Sequence, residues 1–221
     1  KVGSSYEYDG ITGVSHVLEH MMFKGTERFG PGKFSRVIAE NGGKDNAFTS
    51  RDYTMYFQLL EKSRLAVSME MEADRMRNLM LNEAEFVKEL AVVKEERRMR
   101  TDDSPRSLTQ EYFYSVAFSN NTYKNPIIGW ISDLNEMKLL DLQEWYQKWY
   151  APNNAVLVIG GDVNPSEVYE LAEKYYGWGL PIDISTNGFQ IDRLIWVVHI
   201  FMAVLFVGWF VLAISHVLYV S

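Results

Sequence analysis

The chain carries the stretch His16-Val17-Leu18-Glu19-His20, followed at once by Met21-Met22-Phe23-Lys24-Gly25-Thr26. If this stretch is helical, its two histidines lie four residues apart on one face, one turn from each other. Two imidazoles so placed can share a metal ion, and zinc suits that ligand type. A carboxylate at Glu19 can then take a proton from water and pass it to a leaving amine. This is the inverted zincin order H-x-x-E-H, but five residues alone fit two surface histidines on an amphipathic helix equally well.

A catalytic zinc ion normally has three protein ligands and a fourth position for water, so a further ligand is needed. The helical pattern at residues 89–98 offers three candidates, Glu89, Glu95 and Glu96. Glu89 and Glu96 are seven residues apart and share a face, whereas Glu95 is rotated away by about 100°. One of the aligned pair could bind the metal while the other orients a histidine. The same charges also fit a solvated helix face with i,i+4 ion pairs.

The stretch from Gly13 to Thr26 resembles the zinc-site signature of the pitrilysin (insulinase) family of metallopeptidases, in the N-terminal half of its bacterial members. That family has a third ligand some 76 residues beyond the second histidine, and Glu96 stands 76 residues after His20. The resemblance implies one zinc ion and hydrolysis of peptide bonds in peptides or unfolded polypeptides. The implied roles are zinc ligation by His16, His20 and Glu96, general-base catalysis by Glu19, and orientation of the site by Glu89.

Residues 45–57 are rich in aromatic and β-branched side chains, which predicts a strand or a pair of strands. In the family, the counterpart of Asn46-Ala47-Phe48-Thr49 lies on a sheet edge beside the zinc. The resemblance therefore implies that a substrate adds there as an extra strand, through main-chain hydrogen bonds to Asn46, Ala47, Phe48 and Thr49. An ordinary strand followed by a turn explains the same residues.

Helical patterns at 61–78, 82–100, 107–118, 141–149 and 164–176 alternate with strand patterns at 45–57 and 155–159. They predict an α+β fold, an antiparallel sheet with helices packed on one face, similar to one half of a mitochondrial processing peptidase. The resemblance covers residues 1 to about 179 and implies a metallopeptidase N-terminal domain at 1–180 whose first strands are missing. Since the family continues into a second, similar domain, we expect a second pitrilysin-like domain or chain as a partner.

The end of the chain departs from this resemblance. After a linker at 181–193, residues 194–221 contain no Lys, Arg, Asp, Glu, Asn, Gln or Pro. As a helix, residues 194–220 extend about 40 Å, enough to cross a hydrocarbon core of about 30 Å. They predict a C-terminal transmembrane helix that anchors the chain in a bacterial inner membrane. The resemblance to exported bacterial members of the family implies a peptidase domain on the periplasmic side. By the positive-inside rule, Arg193, the only nearby cation, would instead place that domain in the cytoplasm. A membrane-anchored component of a respiratory complex is an alternative that depends on this segment alone.

Composition narrows the function classes further. The 221 residues include 22 Lys and Arg against 29 Asp and Glu, a formal net charge of −7, which argues against a nucleic-acid partner. The chain has no cysteine, so a disulfide framework is excluded. A non-catalytic structural subunit of the same fold is the second alternative, although the chain keeps all five residues of the two zinc motifs.

Overall fold

The computed structural model describes residues 1–177. This part is rich in helices and contains a two-stranded antiparallel sheet. The helices are α1 (Val14–Met21), α2 (Lys33–Glu40), α3 (Leu65–Asn78), α4 (Glu83–Arg97), α5 (Pro105–Ala117), α6 (Ile131–Glu136), α7 (Leu139–Trp149) and α8 (Pro165–Tyr176), and the strands are β1 (Lys44–Thr49) and β2 (Thr54–Leu59). Short 3-10 turns lie at Ser4–Tyr6, Lys62–Arg64, Thr122–Lys124 and Pro152–Asn154, and a π turn at Arg98–Asp102 extends α4.

Helix α1 lies at the centre of the larger hydrophobic core. It has eight residues, and its apolar side chains, Val14, Val17, Leu18 and Met21, are completely buried. They pack with apolar residues of α4 and α7, including Phe86, Leu90, Val93, Leu142 and Trp145. A short helix is marginal by itself, so its stability comes from this burial, about 1.5–3 kcal/mol for each large side chain. The two histidines of α1 remain partly exposed.

A buried glutamate stabilises the start of α1. Glu7 is 2% exposed, and its carboxylate accepts hydrogen bonds from the backbone N–H groups of Gly13, at 2.7 Å, and Ser15, at 2.9 Å. These are N–H groups that the helix itself leaves unpaired. A negative group at this position also interacts favourably with the helix dipole.

Two glycines allow a loop to pack closely against the start of α1. Gly13 has a φ of +89° and Gly129 a φ of +90°, a conformation that other residues rarely adopt. A Cβ atom on Gly13 would lie 2.6 Å from the carbonyl oxygen of Ile128. The carbonyl oxygen of Gly129 in turn accepts a hydrogen bond from the buried Arg97 at the end of α4. The loop therefore links α4 to the start of α1.

The strands form a hairpin that presents one face to the helices. Ala47 and Thr49 of β1 are half-buried and face the same side as Thr54 and Tyr56 of β2, whereas Phe48 points outward and is 40% exposed. Strand β1 pairs with β2 along one edge, and its other edge has no strand partner among residues 1–177. An open strand edge thus runs beside α1.

The structure corrects the predicted fold class. Within residues 1–177 the antiparallel sheet comprises two strands, and residues 155–159, predicted as a strand, belong to neither, with Val156 66% and Val158 78% exposed. An apolar β-branched run forms a strand only where a neighbour supplies hydrogen-bond partners, and the described residues supply none here. The class is therefore a helix-rich fold with a small antiparallel sheet.

The transmembrane part of the predicted fold class is also wrong for the described chain. Among residues 1–177, no helix combines the length and the apolar character that a membrane crossing requires. The prediction fell on residues 194–220, which lie outside the described residues. An apolar run indicates that a segment avoids water, and it does not indicate what the segment packs against. The predicted localisation at an inner membrane stays a prediction.

We expect Glu7→Gln to make the slope of the free energy of unfolding against pH more positive between about pH 5 and 7. Burial raises the pKa of Glu7 from 4.5 to about 7, against the opposing effect of its bonds to Gly13 and Ser15. In this window the folded chain keeps a proton that the unfolded chain has lost. Glu7 therefore contributes a negative slope to the free energy of unfolding, at most about 1.4 kcal/mol per pH unit. His16, whose pKa is lowered, contributes a slope of the opposite sign below about pH 6.5 in both variants.

Urea unfolding at pH 5, 6 and 7 measures this slope. Glu170→Gln, at an exposed position of α8, is the matched control and should keep the wild-type slope. A Glu7→Gln variant that keeps the wild-type slope would contradict the assignment.

Candidate metal centre

Both histidines of the first motif project from α1 toward a cleft. Their ring centroids lie 4.9 Å apart, and their side chains are only 12% and 22% exposed for His16 and His20. Burial lowers the pKa of His16 to about 3, with smaller effects of the same sign from His20 and Arg100. The His16 imidazole is therefore neutral at ordinary pH, which is the form that binds a metal.

Glu96 of α4 reaches the same point in the cleft. Its Oε2 atom lies 3.4 Å from His20 Nε2 and 3.8 Å from His16 Nε2. One ligand atom from each of the three residues falls within 4.8 Å of the others. Ligand atoms of a tetrahedral zinc ion lie about 3.4 Å apart, because each is about 2.1 Å from the metal. The three side chains therefore fit a zinc ion.

Glu89, the other glutamate of the pair that shares a face of α4, lies behind His20. Glu89 Oε2 lies 3.2 Å from His20 Nδ1, and its other oxygen pairs with Lys24 Nζ at 2.5 Å. A carboxylate at Nδ1 favours the tautomer with its proton on that atom, which leaves the Nε2 lone pair directed toward Glu96. Lys24 in turn fixes Glu89. Sequence reasoning gave Lys24 no role, although its position four residues after His20 in the motif was an available signal.

Of the three glutamates weighed as ligands, Glu95 lies away from the histidines. Its carboxylate is exposed and pairs with Arg98 at 2.5 Å. Glu96 instead divides its two oxygens, Oε1 pairing with Arg100 at 2.6 Å and Oε2 facing the histidines. Arg100 therefore leaves one Glu96 oxygen directed toward the metal position.

Glu19 lies on α1 beside the candidate ligands and is 8% exposed. Burial raises its pKa, and the hydroxyl of Thr49, which donates a hydrogen bond to Glu19 Oε2 at 2.6 Å, opposes this shift. Thr49 therefore holds the carboxylate in place. Sequence reasoning assigned Thr49 to the substrate edge and missed this contact, because nothing in the local pattern links residues that lie 30 positions apart.

All four predicted substrate residues line the cleft, on strand β1. Their side chains alternate, so Ala47 and Thr49 face α1 while Asn46 and Phe48 face outward. The backbone N–H of Ala47 donates to the side-chain oxygen of Asn46 at 2.9 Å. This N–H thus points to the open edge of β1, where a peptide strand could replace the Asn46 side chain as its acceptor.

Arg97, which follows Glu96, is a further residue that sequence reasoning missed. It is 3% exposed, donates two hydrogen bonds of 2.8 Å to the carboxylate of Glu111, and donates one of 2.9 Å to the carbonyl oxygen of Gly129. These contacts hold the end of α4 against α5 and the loop before α6. Its partners lie 14 and 32 residues along the chain, a separation without any sequence signal.

Comparison with known proteins gives a consistent set of similarities. Residues 1–130 match the family described as Insulinase (Peptidase family M16), and residues 137–179 match the Peptidase M16 inactive domain. The zinc protease PqqE of Helicobacter pylori is 39% identical over 176 residues, which cover 80% of this chain and 40% of that protein. The mitochondrial-processing peptidase subunit beta of Bos taurus is 30% identical over 192 residues, 87% of this chain and 38% of that protein.

Solved structures give the same result. The crystal structure of a protease from Helicobacter pylori superposes with a TM-score of 0.78 at 39% identity, covering 80% of this chain and 42% of that one. The first half of the periplasmic protease PqqL from Escherichia coli superposes with a TM-score of 0.71 at 27% identity, covering 79% and 39%. The chain spans about two fifths of the length of the relatives that it matches.

We expect Glu96→Gln to weaken zinc binding by about a hundredfold or more, because removal of a supporting group behind a ligand already costs 10- to 100-fold. The neutral amide is a poor zinc ligand. Glu95→Gln, one residue earlier and paired with Arg98, is the matched control and should bind zinc as the wild type does.

Competitive titration with a chromophoric chelator measures both affinities, and elemental analysis gives the stoichiometry. Equal affinities for Glu96→Gln and the wild type would exclude Glu96 as a ligand.

Proposed function

The chain belongs to the insulinase family of peptidases, peptidase family M16, and on this premise we propose that it carries the catalytic half of a zinc-dependent endopeptidase. The observation that supports this most directly is the convergence of His16, His20 and Glu96 beside Glu19. Three ligands and a free carboxylate are the groups that metal-assisted peptide hydrolysis needs. Relatives named as zinc proteases support the same chemistry.

In this proposal His16, His20 and Glu96 would hold the ion. Bound zinc supplies Lewis-acid polarisation of the scissile carbonyl group and lowers the pKa of water. Glu89 keeps the His20 ring in the orientation and tautomer that a ligand requires, and Lys24 keeps Glu89 in place. Arg100 holds the remaining oxygen of Glu96.

Glu19 is the proposed general base. Its carboxylate accepts a proton from the attacking water and returns the proton to the nitrogen of the leaving amine, which departs as a neutral group. The Thr49 hydroxyl keeps Glu19 at the cleft surface and stabilises its charged form. Because burial raises the pKa of Glu19, the base loses its proton at a higher pH than an exposed glutamate.

The open edge of β1 is the proposed substrate site. An extended peptide that pairs with this edge would present its main chain beside Glu19, whatever its side chains are. Thr49 belongs both to this edge and to the contact with Glu19, so substrate alignment and the base share one strand.

We propose that a second domain or chain completes the enzyme. The PqqL structure named above is described as a first half, and the mitochondrial-processing peptidase relative is described as a subunit. The cleft beside the zinc ligands is wide, with a volume of about 640 Å³, and a second half would enclose a peptide within it. The chain by itself should therefore hydrolyse peptides slowly.

We expect Glu19→Gln to lower turnover of a fluorogenic peptide by about 10²- to 10⁴-fold, because proton transfer is lost. Zinc content should stay at the wild-type level, since Glu19 is not a proposed ligand. Initial rates and elemental analysis on the same preparations measure the two effects.

Glu95→Gln is the control for this variant also, and it should keep wild-type turnover. Substantial activity in Glu19→Gln would contradict the assigned role. A wild-type chain that binds zinc without any hydrolysis, alone or with its second half, would favour a non-catalytic subunit.

A further inference from the structure

The wall of the cleft near the candidate metal ligands contains cationic and amide groups that the proposed reaction does not use. We propose that Arg51 and Asn125 form a subsite for a carboxylate of the bound peptide, either an acidic side chain or a free C-terminus. This inference rests on the proposed function, since the ligand is a peptide lying in the same cleft. Both residues line that cleft together with His16, Glu19 and Thr49.

Arg51 follows β1 and is held by two aromatic rings. Its guanidinium carbon lies 4.5 Å from the ring centroid of Tyr114 and 5.4 Å from that of Tyr123. Within residues 1–177, its guanidinium makes no ion pair, and its buried Nε atom has no hydrogen-bond partner. A guanidinium that is oriented by aromatic rings but lacks an acid is ready to bind a carboxylate through two parallel hydrogen bonds.

Asn125 supplies a second, independent donor. The residue is 1% exposed, and its Oδ1 atom accepts a hydrogen bond of 3.1 Å from Trp130 Nε1. An indole N–H only donates, so this bond identifies the other amide atom as the NH₂ group. That Nδ2 atom is buried and finds no acceptor in the described part of the chain. A buried donor left unpaired is costly, and a ligand oxygen would satisfy it.

Apart from Glu19, whose carboxylate is bonded to the Thr49 hydroxyl, the other charged side chains of the cleft are already paired. Arg100 pairs with Glu96, and Lys124 with Asp9 at 3.5 Å. Glu111 is neutralised by the two hydrogen bonds from Arg97. A carboxylate entering this part of the cleft therefore meets the unneutralised charge of Arg51 and the free amide of Asn125.

The test measures peptide binding to the Glu19→Gln chain, in which bound peptides stay intact. Fluorescein-labelled peptides with an amidated C-terminus carry one Glu at successive positions, and each has a counterpart with Gln at that position. A further pair lacks internal acids and differs only in a free or an amidated C-terminus. Fluorescence anisotropy gives the Kd of each peptide.

For at least one member of the series, we expect the carboxylate to strengthen binding about tenfold over its neutral counterpart. A preference confined to internal Glu identifies a side-chain subsite, and a preference confined to the last pair identifies a C-terminus subsite. Adding Arg51→Gln should abolish the preference, and Arg51→Lys should keep only part of it, because lysine lacks the planar fork. Arg36→Gln, which removes an exposed arginine of α2 outside the cleft, is the matched control and should leave the preference unchanged.

A second measurement needs no substitution at the subsite. The ¹⁵N resonances of the Arg51 Nε–H and the Asn125 amide should shift on titration with the preferred peptide and stay unchanged with its neutral counterpart. Equal affinities throughout the series, no measurable binding of the acidic peptides, or unchanged Arg51 and Asn125 resonances would each overturn the subsite.

The subsite and the proposed function can fail separately. Hydrolysis of peptides by the wild-type chain without any carboxylate preference overturns the subsite alone. A carboxylate preference that is lost in Arg51→Gln, found in a chain that hydrolyses nothing even with its second half, retains the subsite and overturns the proposed hydrolysis.

Discussion

Helix α1 is held in the core by Val14, Val17, Leu18 and Met21, and this burial determines where its polar side chains can go. An eight-residue helix with its apolar side chains packed against α4 and α7 cannot rotate without exposing them. His16, Glu19 and His20 must therefore face the cleft. The capping of α1 by Glu7, and the loop that packs against Gly13, set the position of the helix along its own axis as well.

A chain of alternating charges passes through the candidate metal centre. Lys24 pairs with Glu89, which contacts His20, and on the other side of the histidines Arg100 pairs with Glu96. Each carboxylate divides its oxygens between a cation and a histidine, which limits its rotation. Two partly buried glutamates beside these imidazoles would otherwise carry a large desolvation cost, and the flanking cations reduce it. The same arrangement orients the three candidate ligands in the structure without an ion.

The position of Glu19 on α1 also depends on the hairpin. Thr49 belongs to a strand with an open edge, yet its hydroxyl contacts the carboxylate of Glu19 on the helix. A shift of the strand by one residue would turn Thr49 to the outward face and place Phe48 against the helix. The register of a two-stranded sheet thus affects the proposed general base directly.

Much of this site could be predicted from the sequence, because the features that define the site are local along the chain. Helical periodicity alone places His16 and His20 on one face and aligns Glu89 with Glu96 two turns apart. Periodicity could not predict the hydrogen bonds from Thr49 to Glu19, from Arg97 to Gly129, or from Trp130 to Asn125. These bonds join segments whose distance in space is set by tertiary packing. The sequence also predicts a strand at residues 155–159, since a continuous apolar run carries no information about whether a partner strand lies beside it.

The amino-acid sequence by itself therefore determined which groups share a helix face, because backbone geometry repeats every 3.6 residues whatever surrounds it. Only the tertiary structure decided which of those faces meet. The distance from α1 to α4 depends on how Leu18, Leu90 and Val93 fill the space between them, and that distance brings Glu96 to the histidines and leaves Glu95 in solvent.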